Sequence, residues 1–203
     1  MGIPVPIALR DSASPSPSPL PSPPHSRRRR APPELLALNF VCTRNTRSVL
    51  NCAVLGADTE PYFHVVTRPG RTILRTNTGR AVAAVEWDPQ GVYVQLHAQD
   101  SDKEKALERH RVGSWLGISR DASYRVMVVH GEPYVWIPRS ESICLYHWAA
   151  KTSSDIPELI AKIERGPDDE GATLEIVGSA VERGLLETCV VCVVLFQSGC
   201  CID

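Results

Sequence analysis

The stretch from Gly184 to Gln197 (GLLETCVVCVVLFQ) sets the strongest constraint on what this chain can fold into. After its first turn it is apolar on every side, and an element apolar all round must be enclosed by the rest of the fold. Its valine density favours a strand by intrinsic propensity. Its fourteen residues carry no turn signal, which is long for a strand beside candidate strands of four to seven elsewhere in the chain. Strand and helix both stay open on these residues alone. The run Thr188 to Phe196 is too short to cross a bilayer, which takes about 20 apolar residues in a helix.

Whatever encloses that segment must come from the chain before it, which from Glu34 onward reads as short strands separated by turns. The first candidates are Leu35 to Val41, Val49 to Leu55, Tyr62 to Thr67, Thr72 to Arg75, Ala81 to Trp87 and Val92 to Leu96. Tyr124 to Val129, Tyr134 to Ile137, Ile143 to Trp148 and Thr173 to Val177 follow. Their separators carry turn chemistry: Pro69-Gly70, Asn77-Thr78-Gly79, Asp88-Pro89-Gln90-Gly91, His130-Gly131-Glu132 and the run Pro167 to Gly171. Period-two alternation, as in Val82, Ala84 and Glu86 against Ala83, Val85 and Trp87, fits strands with one face buried. Near-regular short strands of this kind predict a sandwich or a barrel. Ile156 to Arg165 is read as a further strand, and the charged stretch Lys103 to Arg111 as a loop or short helix.

Ahead of the strands the texture is different. Residues 1–33 hold ten of the seventeen prolines, interleaved with serine in Ser14-Pro15-Ser16-Pro17-Ser18-Pro19. Proline fixes φ and removes a donor, so the reading is a disordered Pro/Ser-rich arm of polyproline II character. Arg10 and Arg27 to Arg30 face only Asp11 there, making the arm basic although the whole chain carries a net charge of -1. The expected organisation is an arm at 1–33, a domain at 34–198 and a flexible tail at 199–203. The seven cysteines are odd in number, and Pro4 and Pro6 interrupt the apolar start, so a reducing intracellular (cytoplasmic) setting is expected rather than secretion.

The order of pieces carries a resemblance. Val85-Glu86-Trp87, then Tyr134-Val135-Trp136, then Leu174-Glu175-Ile176, then Leu185-Leu186-Glu187 opening the apolar segment, together resemble a fungal family of unknown function. That family is grouped with the Tubby C-terminal-like superfamily, which also holds the LURP-one-related proteins and the phospholipid scramblases. The resemblance covers roughly Leu35 to Gln197 and implies a closed antiparallel β-barrel threaded by a hydrophobic C-terminal helix. A helix inside a barrel is apolar all round, which would settle the helix-or-strand conflict. The resemblance implies no activity. A phosphoinositide site of Tubby type would need basic residues on one barrel face, and Arg68, Arg71, Arg75 and Arg80 cluster in sequence without matching a lipid-site motif.

Chemistry-bearing motifs are few. Cys189-x-x-Cys192 has redox spacing but lies in the most apolar run, where thiols act as inert core. His130-Gly131-Glu132 followed by that cysteine pair echoes a zinc deaminase, yet Thr188 stands where proline belongs and His130 sits at a hairpin turn. The six histidines show no helical metal spacing, and no nucleophile elbow, phosphate loop or dinucleotide fingerprint occurs. Trp87, Trp115, Trp136 and Trp148 are spread over separate segments without a basic rhythm, so core packing is expected rather than base stacking. Cys200 and Cys201 stand near the end, but the terminal Asp203 is wrong for prenylation, so the expectation is a frayed end with two free thiols, with palmitoylation as the alternative. No catalytic residue, metal ligand or cofactor is therefore assigned.

The expected function is that of a non-catalytic intracellular binding module engaging anionic membrane lipid or a membrane-associated partner, with Arg27, Arg28, Arg29 and Arg30 as electrostatic contacts. One alternative is a regulatory module whose proline-rich arm recruits SH3- or WW-type proteins. Another is an enzyme whose groups are assembled from distant residues. Specific nucleic-acid binding is not expected.

Overall fold

The computed structural model describes residues 34–42, 48–97, 109–148, 157–166 and 171–203. The arm at 1–33, with Arg27 to Arg30, lies outside the described residues, as does most of the charged stretch after Gln99. Thirteen strands and three helices make up the described part. The strands are β1 (Leu35–Cys42), β2 (Cys52–Leu55), β3 (Pro61–Arg68), β4 (Arg71–Thr76), β5 (Ala81–Asp88), β6 (Gly91–Leu96) and β7 (Arg109–Arg111). After the one-turn helix α1 (Val112–Trp115) come β8 (Leu116–Ile118), β9 (Arg125–Val129), β10 (Glu132–Pro138), β11 (Ser142–His147), β12 (Leu159–Arg165) and β13 (Ala172–Val177). The short α2 (Gly178–Glu182) then leads to α3 (Leu186–Gln197).

All thirteen strands belong to one sheet in the order β7-β6-β5-β4-β3-β2-β1-β13-β12-β11-β10-β9-β8. Every pairing is antiparallel. The turns that link neighbours follow from their residues. Between β9 and β10 both His130 and Gly131 have positive φ, 52° and 82°, with Val129 opposite Glu132. That is the type I′ geometry whose twist matches the flanking strands. Between β3 and β4, Gly70 takes φ 77° after Pro69, the Pro-Gly order of a type II turn.

Within the sheet, side chains alternate as the period-two pattern predicts. Phe63 and Val65 of β3, Leu74 of β4, Val85 of β5 and Val94 of β6 point into one core, together with Leu38, Trp136, Leu145 and Leu174. Facing all of them is α3. Its residues from Thr188 to Leu195 are buried without interruption, so no side of the helix is left to solvent. The apolar segment is thus a helix. A helix bonds its own backbone internally, whereas a lone strand in the same place would leave amides and carbonyls unpaired. That requirement overrides the strand preference of valine.

The expected closure of the barrel is not made by hydrogen bonds. β7 and β8 are the two ends of the sheet and do not pair. They are nevertheless consecutive in the chain, joined only by the four residues of α1. One helical turn advances about 6 Å, so the two edges come close where α1 bridges them. Val112 and Leu116, at either end of α1, are fully buried and seal this seam.

Several expectations shift at the element level. Val49 and Leu50 belong to a turn before β2 rather than to the strand. The segment read as loop or short helix supplies β7 at its end, and β8, α1 and α2 are additional to the elements read from the sequence. At the C-terminus Ile202 is buried against the core, and the carboxylate of Asp203 takes a 2.7 Å bond from the Arg125 guanidinium. No helix among the described residues is long and apolar enough to cross a membrane.

Candidate functional site: an arginine-rich outer face

The outward face of β3 to β7 gathers the basic residues that the sequence shows only in part. Cross-strand register sets the arrangement. Arg68 stands opposite Arg71, Arg71 opposite Glu86, Glu86 opposite Tyr93 and Tyr93 opposite Arg111, forming one row across five strands. In the next row Val66, Ile73, Ala84, Gln95 and Arg109 are successive partners. Beyond it, His64 pairs with Arg75, and Arg80 sits in the turn leading to β5. Alternation forces this placement: Val65, Thr72, Leu74, Val85 and Val94 between them are buried.

Acidic partners are scarce on this face. Glu86 is bonded by the Nε of Arg109 at 2.7 Å, and the Arg109 guanidinium lies 3.4 Å over the Tyr93 ring. Arg71 donates to the Gln95 amide oxygen at 3.2 Å, and Arg75 to the Gly79 carbonyl at 2.8 Å. Arg68, Arg71, Arg75, Arg80 and Arg111 have no carboxylate partner among the described residues. Like charges directly opposite each other on a sheet repel, so the Arg68–Arg71 pair leaves an unmet demand for negative charge. His97, just after β6, registers the same field. Its pKa is held below the usual 6.5 first by burial and then by the positive charges of Arg71 and Arg80.

Of the residues singled out from the sequence, Arg68, Arg71, Arg75 and Arg80 are brought to one region, and Arg109 and Arg111 join them through the β6–β7 pairing. Sequence reasoning misses those two because they lie in a highly charged segment whose strand is only three residues long. The electrostatic contacts Arg27 to Arg30 fall outside the described residues.

The cysteine pair occupies the helix core, where burial alone drives the Cys189 thiol pKa far up. Cys192 is also raised, first by burial and then by Cys189. The Trp136 indole N–H has no oxygen or nitrogen acceptor, and its contact with the Cys192 sulfur partly offsets that rise. Thiols held protonated in this way are not nucleophiles. His130 lies in the β9–β10 turn, while Glu132 on β10 meets His147 at 3.1 Å. Among the described residues no three His, Cys, Asp or Glu side chains converge as metal ligands. Trp136 is core, Trp87 donates to the Thr72 hydroxyl at 2.7 Å, and Trp148 is 47% exposed.

With this geometry in hand, comparison with known proteins places the chain. Residues 44–199 match the family described as "Family of unknown function (DUF6593)", well over half of the sequence. The chain belongs to that family. No curated protein matches it. Among solved structures, an X-ray structure of an Arabidopsis thaliana protein is similar at 15% identity, covering 78% of this chain and 90% of that one with a TM-score of 0.39. The arginines of the outer face from Arg68 to Arg111 all fall inside the span that defines this family member.

Proposed function

We propose that this family member is a non-catalytic module that holds phosphate-bearing anionic lipid at a membrane surface, through the outer face of β3 to β7. The observation that carries this reading is the set of arginines Arg68, Arg71, Arg75 and Arg111, aligned by strand register, with Arg80 in the adjoining turn, all lacking carboxylate partners among the described residues. Guanidinium groups bind phosphate oxygens in a planar fork. Each basic residue near an anionic leaflet contributes about 1 kcal/mol. Five of them on one face can therefore act together, although the whole chain carries a net charge of -1.

The same reading groups the fold with the Tubby C-terminal-like superfamily and treats the sheet as a barrel. Its support is the C-terminal helix, buried from Thr188 to Leu195, and the seam bridged by α1 alone. Fold kinship by itself assigns no ligand, so the arginine face bears the functional argument.

The test is co-sedimentation of the full chain with phosphatidylcholine vesicles, with and without phosphoinositide, at low and at moderate salt. The triple variant Arg68→Gln/Arg71→Gln/Arg75→Gln should lose at least tenfold in affinity, by about 1 kcal/mol for each removed charge. A variant with Arg27 to Arg30 replaced by Gln should keep its phosphoinositide-dependent binding at moderate salt, where a loosely held charge is screened first. If the arm variant loses all binding and the face variant none, the arm is a salt-sensitive tether and the face is not the site. If the wild type ignores both vesicle types, the lipid reading fails, and the proline-rich arm becomes the place to look for a partner.

A further inference from the structure

Of the seven cysteines, Cys200 and Cys201 are exposed, Cys42 is half-buried, and Cys52, Cys144, Cys189 and Cys192 are buried. Cysteine is among the residue types most often found inside, so two adjacent thiols in solvent call for a reason. They do not sit on a loose end. Gly199, at φ 72°, turns the chain after α3, and the Cys200 amide donates to the Ser198 hydroxyl at 3.1 Å. Beyond the pair Ile202 is buried against the core, and the Asp203 carboxylate takes a 2.7 Å bond from Arg125. The tail is therefore pinned on both sides of the two thiols.

The place at which it is pinned adds a second observation. The other guanidinium nitrogen of Arg125, Nη1, donates to the Leu116 carbonyl at 3.1 Å. Leu116 opens β8 and is separated from Arg111, the end of β7, only by the four residues of α1. Asp203, Arg125 and α1 thus tie the tail to the Arg111 edge of the basic outer face. Basic residues alone hold a protein at an anionic leaflet loosely, because salt screens them. Stable attachment takes two signals, such as an acyl chain together with a basic patch. Cysteines next to a membrane surface are where such a chain is added reversibly, as a thioester.

We propose that Cys200 and Cys201 are sites of S-acylation, and that a long acyl chain there is the second membrane signal beside the arginine face, a role that rests on the lipid reading of that face. The donor is a long-chain acyl-coenzyme A. The cysteine sulfur attacks the acyl carbonyl carbon, a new carbon–sulfur bond forms, and the bond to the coenzyme A sulfur breaks. The cysteine proton ends on the released coenzyme A thiol. One thioester replaces another, so nothing is oxidised or reduced. Cys189 and Cys192 are closed to the same donor, since neither has any surface in solvent.

The test is expression of the full chain in yeast cells, followed by hydroxylamine-dependent capture of S-acyl groups and by membrane fractionation at moderate salt. The wild type should be captured. The double variant Cys200→Ser/Cys201→Ser should lose capture at least tenfold, and its share in the membrane fraction should fall at least fivefold. Its thermal midpoint should match that of the wild type, because both side chains are exposed. The proposal is overturned if the wild type is not captured, if the double variant is captured equally, or if the variant loses its acyl groups and stays on membranes unchanged. Purified, unacylated chain on phosphoinositide vesicles separates the two readings. Vesicle binding without capture in cells removes the acylation site and leaves the lipid face standing. Capture in cells without vesicle binding removes the lipid face and leaves the acylation site standing.

Discussion

At the scale of single residues, His97 offers the clearest reading of local electrostatics. The charges of Arg71 and Arg80 act on its ring, which lines a cleft with His110, His130 and Glu187. Burial and the two arginines lower its pKa below 6.5 in the folded state. The unfolded chain therefore binds this proton first as pH falls, and stability drops from about pH 6.5 downward, through the depressed folded value. His97→Gln should flatten that dependence. Urea midpoints measured at about pH 7.5 and about pH 5.5 should fall more for the wild type than for the variant. An equal fall in both would mean that neither burial nor the arginines depress the His97 pKa. The sequence places Arg68, Arg71, Arg75 and Arg80 close together by number. What it does not show is that His97 and Arg109 belong beside them, because pairing across three hairpins brings them there.

At the scale of elements, α3 is the keystone of the core. Leu195 is 1% exposed near its end, and the other large core side chains pack round the same helix. Leu195→Ala should cost about 2–5 kcal/mol through lost transfer energy and a residual cavity. Equilibrium urea unfolding gives this directly, and a loss under about 1 kcal/mol would mean that the helix is not packed as described. The strands are largely legible in the sequence: β3, β4, β5 and β6 fall within a residue or two of the apolar runs that announce them. Their turns are legible for a chemical reason. Pro69-Gly70 and His130-Gly131 are sequences that favour the positive φ adopted there. β7 and β8 are not legible, since three-residue strands are too short for alternation to register.

At the scale of the whole molecule, one sheet carries the fold and its stability is uneven. β1 and β13 lie in the middle of the strand order, each laddered on both sides, while β7 and β8 are laddered on one side only. Local opening should start at those edges. In hydrogen exchange of the full chain, amides of Arg109 to Arg111 and Leu116 to Ile118 should exchange well before those of Leu38, Phe40 and Leu174. Protection at the edges equal to that of the centre would show that the seam pairs in solution. The seam also explains why one molecule offers two unlike candidate surfaces. The outer face of β3 to β7 is basic, and the unpaired gap beside it leaves a cleft lined by apolar side chains and three histidines.

The residues alone determine that this family member is mainly β after Glu34, where its turns fall, and that Gly184 to Gln197 must be enclosed. These follow from local chemistry: backbone preferences of proline and glycine, two-residue alternation, and the cost of wetting an apolar segment. Tertiary structure decides the rest. It makes the enclosed segment a helix, because only a helix can satisfy its own backbone with no strand beside it. It leaves the sheet unlaced between β7 and β8. It also assembles the arginine face, since register between strands far apart in sequence is a property of the packed sheet and not of any one segment.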